Sequence, residues 1–242
     1  MNQEDGIRLN KYMSDAGLCS RREADRMIDQ GRVYVNGICA RTGMRVLTSD
    51  DVMVDGRKIF RRDKLIVLAY NKPKGVVCTA DEREKDNVFH YLHYPQKLKY
   101  IGRLDKQSEG LLLFTNQGAF ADAVAKAGNY HEKEYIVKVN RPLHEAFLHQ
   151  MRSGMTIEID DRQYQTRPCT VKKLDSRRFS IVLTQGFNRQ IRRMCEVGGY
   201  HVRELVRIRV MCVSLGELAV GSWRELDEGE VNALKKQLCY DR

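Results

Sequence analysis

Gly102-Arg103-Leu104-Asp105, followed by Gln107-Ser108-Glu109-Gly110 and the apolar run Leu111-Leu112-Leu113-Phe114, carries a charged loop straight into a buried strand. Four consecutive apolar residues behind a glycine read as a strand covered on both faces. A loop pinned to such a strand can aim a reactive side chain. Asp105 has two readings at this point. It is an ordinary turn aspartate, a residue common in turns, or a carboxylate presented for chemistry.

The sequence on either side of that loop reads as short strands interspersed with a few helices. Upstream, residues 65–70 form a continuous apolar strand ended by Asn71-Lys72-Pro73-Lys74-Gly75. Further strands are predicted at 76–79, 110–115, 135–139, 156–159, 170–173, 179–184 and 203–215, and helices at 120–127, 143–153, 188–197 and 227–238. Strands outnumber helices and do not alternate with them. The pattern predicts an α+β domain on a mixed or antiparallel sheet, not a doubly wound parallel one.

The first 60 residues follow a different plan. After a loose tail at 1–6, Leu9, Tyr12, Met13 and Ala16 fall at helical spacing, with Gly17 as a C-terminal cap. Ser20 and Glu23 form a capping box for a second helix that ends at Gly31. Strands follow at 33–35, 45–47, 52–54 and 58–59, with turns at Asn36-Gly37 and Asp55-Gly56. The charged break Arg61-Arg62-Asp63-Lys64 sets a boundary between domains 1–62 and 63–242.

The 242 residues are 42% hydrophobic, enough for a packed core, and carry a formal net charge of +10. The excess is spread, with 13 Lys and Arg against 10 Asp and Glu in residues 1–64 and 29 against 22 beyond. That balance points to a polyanionic partner. Seven cysteines, none in a C-x-x-C pair, are expected as reduced thiols, and His90 with His93 lacks the further ligands of a metal site. No apolar leader or membrane-length run occurs, so a cytoplasmic location without membrane attachment is expected. Arg21, Arg22 and Arg26 gather near a capped helix start, which is either a phosphate-binding face or a solvated charged one.

Two resemblances bear on these alternatives. Arg8-Leu9-Asn10-Lys11-Tyr12, then Cys19-Ser20-Arg21-Arg22-Glu23-Ala24, then Ile28, Gly31, Val33 and Val35-Asn36-Gly37 resemble the αL-type S4 RNA-binding domain over about residues 7–60. The resemblance implies that Arg8, Lys11, Arg21 and Arg22 face structured RNA, read through shape and backbone. The G-R-L-D-x-x-S-x-G-L-L pattern at 102–112 resembles the RsuA-type branch of the RNA pseudouridine synthases. So do Asn71-Lys72-Pro73-Lys74-Gly75, Lys133-Glu134-Tyr135 and Asn188-Arg189-Gln190-Ile191-Arg192-Arg193-Met194. Residues 128–135 most resemble the RluF subgroup, which implies large-subunit (23S) ribosomal RNA as substrate, with a tRNA as a further possibility.

The resemblance implies Asp105 as the catalytic aspartate. The reaction breaks the uridine N1–C1′ bond, turns the base and rejoins C5 to the same carbon. It requires neither redox change nor group donor, in keeping with the lack of a Gly-rich cofactor fingerprint, so no cofactor and no metal is expected. Asp105 acts as a nucleophile or as a base that removes a ribose proton to give a glycal. Both roles need it ionised, and Arg192 is expected to supply a charge-assisted pair. Tyr135 stacks on the detached uracil or helps remove the C5 proton, or it is a core strand tyrosine. Arg189 and Arg193 go to phosphate, Lys72 and Lys74 to RNA backbone. Arg103 fills the space left by the extruded base or holds a flanking phosphate. Trp223, the sole tryptophan, is expected to pack. The alternatives are a non-catalytic S4-type, ribosome-associated RNA-binding protein and a cysteine-dependent RNA methyltransferase. A monomer is expected.

Overall fold

The computed structural model describes residues 6–47, 49–60, 64–125 and 130–240. Residues 1–5 of the expected tail, most of the charged break at 61–64, the end of the helix expected at 120–127 and Gly128-Asn129 lie outside them. The chain divides into two compact units. The smaller takes residues up to Ile66 with 96–99 and 115–118, and the larger takes the rest.

The smaller unit runs β1 (Ile7–Arg8), α1 (Leu9–Asp15), α2 (Arg21–Asp29), β2 (Val33–Val35), β3 (Ile38–Cys39), β4 (Arg45–Val46), β5 (Val52–Val54) and β6 (Arg57–Lys58). Asn36 and Gly37 both have positive φ, as do Asp55 and Gly56, and each pair closes a two-residue hairpin in the sheet β3-β2-β5-β6. Ser20 caps α2 by accepting from the Glu23 N–H at 3.2 Å. The apolar faces of the two helices, Leu9, Tyr12 and Met13 with Ala24, Met27 and Ile28, pack on Val33, Val35, Val52 and Val54. That packing leaves the polar side of α2 to solvent.

The larger unit contains β7 (Val67–Lys72), α3 (Val88–Leu92), β8 (Lys99–Ile101), β9 (Glu109–Thr115), α4 (Gly118–Ala125), β10 (Lys133–Val139), α5 (Glu145–Ser153), β11 (Thr156–Ile159), β12 (Arg162–Gln165), β13 (Thr170–Lys173), β14 (Arg178–Leu183), α6 (Gln190–Val197), β15 (Val202–Val210), β16 (Val213–Ser214), β17 (Trp223–Glu225) and α7 (Glu228–Leu238). Nine of its strands make one sheet among the described residues, ordered β13-β14-β10-β15-β9-β7-β17, with β8 beside β9 and β16 beside β15. β10 is antiparallel to both neighbours, whereas β15 runs parallel to β9. The sheet is mixed, as the sequence pattern requires. β7 and β9 are buried almost end to end, which is why both read as unbroken apolar runs. Phe147, Leu148 and Met151 of α5 and Met194 and Cys195 of α6 share a core with Val137, Phe179 and Ile181 of the sheet.

Several expectations fail in instructive ways. No strand forms at 76–79, because Gly75 turns the chain at φ 91° and only Val77 makes a β-bridge, to Asn87. The strand expected at 203–215 is a hairpin broken at Met211, which has φ 52°. Residues 88–92, 99–101, 162–165 and 223–225 form elements the sequence pattern did not show. Trp223 is one of these: it pairs with Tyr70 on β7, packs edge-on against Tyr94 at 5.0 Å and keeps one face exposed.

Candidate active site

β8 and β9 are joined by residues 102–108, the loop that carries Asp105. Three contacts brace it. The Ser108 N–H donates to the Asp105 carbonyl at 3.0 Å, the Gly75 N–H to the Lys106 carbonyl at 2.7 Å, and the Leu104 N–H to the Cys78 sulfur at 3.5 Å. Leu104 and Ser108 are buried and plug the loop into the interior, which leaves the Asp105 side chain half-buried between them. Sheet register then sets what Asp105 faces. Gly110 on β9 lies opposite Arg207 on β15, and Arg207 lies opposite Tyr135 on β10. Gly110 has φ 106°, and a Cβ there would collide with the Arg207 backbone. The glycine of the sequence pattern thus exists to let β15 close on β9.

Asp105, Tyr135, Arg103 and Arg189 line one cleft of about 210 Å³, together with Lys133, Gln185, Phe187 and Arg207. That is below the roughly 300–1,000 Å³ usual for small-molecule pockets. Arg103 and Arg189 are exposed at its edge, and Arg189 itself starts α6 with a left-handed φ of 52°. Lys74 is exposed beyond Pro73.

Three expected roles are corrected. Arg192 is buried, but among the described residues no carboxylate lies within ion-pair distance of it. Its Nη2 donates to the Gln107 carbonyl at 2.8 Å, with a longer contact to the Ser108 hydroxyl at 3.5 Å, and its Nε has no partner. Arg192 therefore braces the Asp105 loop from behind instead of pairing with the carboxylate directly. Burial and the charge of Arg189 push its guanidinium down, and Asp105, close enough to be felt, opposes them. Arg193 gives Nη1 to the Glu158 carbonyl at 2.6 Å and Nε to the Asn188 carbonyl at 3.1 Å, so these donors tie α6 to β11 and are not free for phosphate. Lys72 is fully buried and donates to the Pro73 and Val76 carbonyls at 2.7 and 2.8 Å, holding the turn closed. It cannot touch RNA backbone from there.

Burial pushes the Lys72 ammonium down to about 8. The unfolded chain keeps that proton to about pH 10.4. Between about pH 8 and 10.4 the unfolded state binds more protons, so this group makes stability rise with pH across that window. Lys72→Met is expected to remove the rise. Urea melts of both proteins at about pH 7.5 and 9.5 test this, and an unchanged pH slope in the variant would refute the assignment.

Sequence reasoning passed over Arg207, Gln185, Phe187 and Lys133 as site residues in their own right. The signal for Arg207 was an arginine in the apolar alternation Leu205-Val206-Arg207-Ile208, where an inward charge needs a reason. In the smaller unit Arg8, Arg21 and Arg22 are exposed and Lys11 is half-buried, none with an ion-pair partner among the described residues, whereas Arg26 pairs with Glu23.

Residues 66–197 match the family model for RNA pseudouridylate synthase and residues 7–52 match the S4 domain, and the chain belongs to the RNA pseudouridylate synthase family. It is 45% identical over 238 residues to the dual-specificity RNA pseudouridine synthase RluF of Salmonella typhi, covering 98% of this chain and 81% of that protein. It is 34% identical to the ribosomal large subunit pseudouridine synthase B of Bacillus subtilis, covering 94% and 95%. A crystal structure of a pseudouridylate synthase superposes with a TM-score of 0.68 at 26% identity, over 94% of this chain and 99% of that one. The chain is an RNA pseudouridine synthase with an S4 domain. No helix among the described residues is long and apolar enough to cross a membrane.

Proposed function

We propose that this synthase isomerises one or a few uridines in large-subunit ribosomal RNA, and a uridine in a tRNA, with Asp105 as the group that acts on the ribose. The observation that carries the catalytic part is the cleft that Asp105 lines together with Tyr135 and Arg207, the last two in register across the sheet. The substrate part is supported by near full-length identity to a protein named dual-specificity and by a relative named for the large ribosomal subunit. Seven unpaired thiols support work in the reducing cytoplasm, and the monomer is the simplest functional unit.

The target base leaves its stack, at a cost of a few kcal/mol when paired, and enters the cleft. Asp105 either bonds to C1′ or takes the C2′ proton, and in both cases the N1–C1′ electron pair leaves with the uracil. The ring turns against Tyr135 and C5 bonds to C1′ as the Asp105–C1′ bond breaks or, on the glycal route, as Asp105 returns its proton to C2′; the C5 proton is then lost and N1 takes up a proton. Arg103 and Arg189 hold the flanking backbone at the rim. Mapping pseudouridines in total RNA from cells with and without this protein tests the substrate. Loss at a few large-subunit positions and in a tRNA is expected, and an unchanged large-subunit map would overturn the proposal.

The S4 face is tested separately. Arg21→Ala with Arg22→Ala is expected to raise KM with little change in kcat, and to lower the slope of log affinity against log salt by roughly two. An unchanged salt slope would place RNA elsewhere.

A further inference from the structure

Arg207 is 3% exposed, yet its guanidinium is poorly satisfied. Nε donates to the Leu111 carbonyl at 2.7 Å, Nη1 reaches the Arg103 carbonyl only at 3.5 Å, and Nη2 has no partner. No carboxylate lies within 4.0 Å among the described residues, and Arg207 disfavours the protonation of buried Lys72 and half-buried Lys133. Gln185 lines the same cleft with its Nε2 buried and unpartnered, its Oε1 engaged by the Arg167 N–H at 3.1 Å. A buried cation among cations, with donors left over, is costly unless an anion arrives.

The reaction makes such an anion. Cleavage of N1–C1′ leaves the electron pair on uracil, and the charge spreads from N1 onto O2 and O4. C1′ meanwhile gains the Asp105 oxygen, or a C1′–C2′ double bond once the C2′ proton has gone to Asp105. We infer that Arg207, with Gln185 as second donor, forms the anion hole for the detached uracil. This inference rests on the isomerisation proposed above and holds for either route, since both expel the same leaving group. Donors aimed at charge that appears only during reaction act on the transition state more than on binding. The placement follows from register: Arg207 sits between Gly110, next to the Asp105 loop, and Tyr135, the stacking residue.

The test varies the leaving group. Single-turnover consumption of the target nucleotide is followed with uridine and with 5-fluorouridine, whose fluorine makes the departing ring more acidic. Wild-type turnover of uridine establishes the isomerisation independently of Arg207. Arg207→Lys, which keeps charge and length, and Arg207→Gln are then compared, with thermal melting and RNA affinity showing that each is folded and binds. On uridine a loss on the order of 100-fold in kcat is expected, with KM nearly unchanged and a distinctly smaller loss on 5-fluorouridine. An equal fold-loss on both nucleotides would overturn the inference and make Arg207 a structural clamp or a phosphate ligand. A loss confined to KM would overturn it as well.

Discussion

Asp105→Asn is expected to release no tritium from RNA labelled at uridine C5, a fall on the order of 10⁴-fold or more in turnover, while RNA affinity stays close to wild type. Asparagine has the same shape, and the loop contacts run through groups it retains: the Asp105 carbonyl still accepts from Ser108, and Leu104 still seats against Cys78. What goes is the negative charge and the basic oxygen. Both chemical routes need them, one to bond C1′ and the other to take the C2′ proton, so the prediction does not depend on the route. Electrostatics adds to the loss. Asp105 is one of the groups that support the protonated state of buried Lys72 and of Arg192, so neutralising it leaves these cations less compensated. Filter binding and melting temperature show whether the variant is intact. Near wild-type turnover in a folded, RNA-binding Asp105→Asn protein would end the assignment.

How much of this was legible in the sequence depends on how local the signal is. Asn36-Gly37 and Asp55-Gly56 name their own turns, because positive φ at both positions is a property of the dipeptide. The β11–β12 hairpin hides the same geometry in Asp160-Asp161, both with positive φ but without a glycine to announce it, and β12 is the polar run Arg162-Gln163-Tyr164-Gln165. α3 is only five residues long, capped by Asn87, too short for periodicity to register. At the site, Asp105 and Tyr135 were singled out by motif, and both line one cleft. Arg192 was correct in location and incorrect in partner. It binds a backbone carbonyl 85 positions away, and backbone carbonyls leave no trace in residue identity. Lys72 failed for a related reason, since charge argued for solvent where topology had placed it at the end of a fully buried strand.

Gly110→Ala is expected to cost at least about 2 kcal/mol of stability and to remove most activity from whatever protein folds. A φ of 106° is available to glycine alone without strain, and forcing alanine into it costs on the order of 1–3 kcal/mol. The added methyl group also lands on the Arg207 backbone, so β9 and β15 must part where they pair, an overpacking cost of roughly another 1–3 kcal/mol. A domain holds only about 5–15 kcal/mol in total. Gly102, at the start of the loop that leads into β9, supplies the control. It too has positive φ, 68°, but nothing lies within 4 Å of a Cβ placed there. Gly102→Ala therefore carries only the left-handed penalty of about 1–2 kcal/mol. Chemical denaturation of the two variants separates backbone strain from strand collision, and equal stabilities would refute the close approach of β15. Activity separates them further. Pushing Arg207 away from β9 moves the strand that pairs with Tyr135, so Gly110→Ala displaces the far wall of the cleft relative to Asp105, and kcat in folded Gly110→Ala should fall well below that of Gly102→Ala.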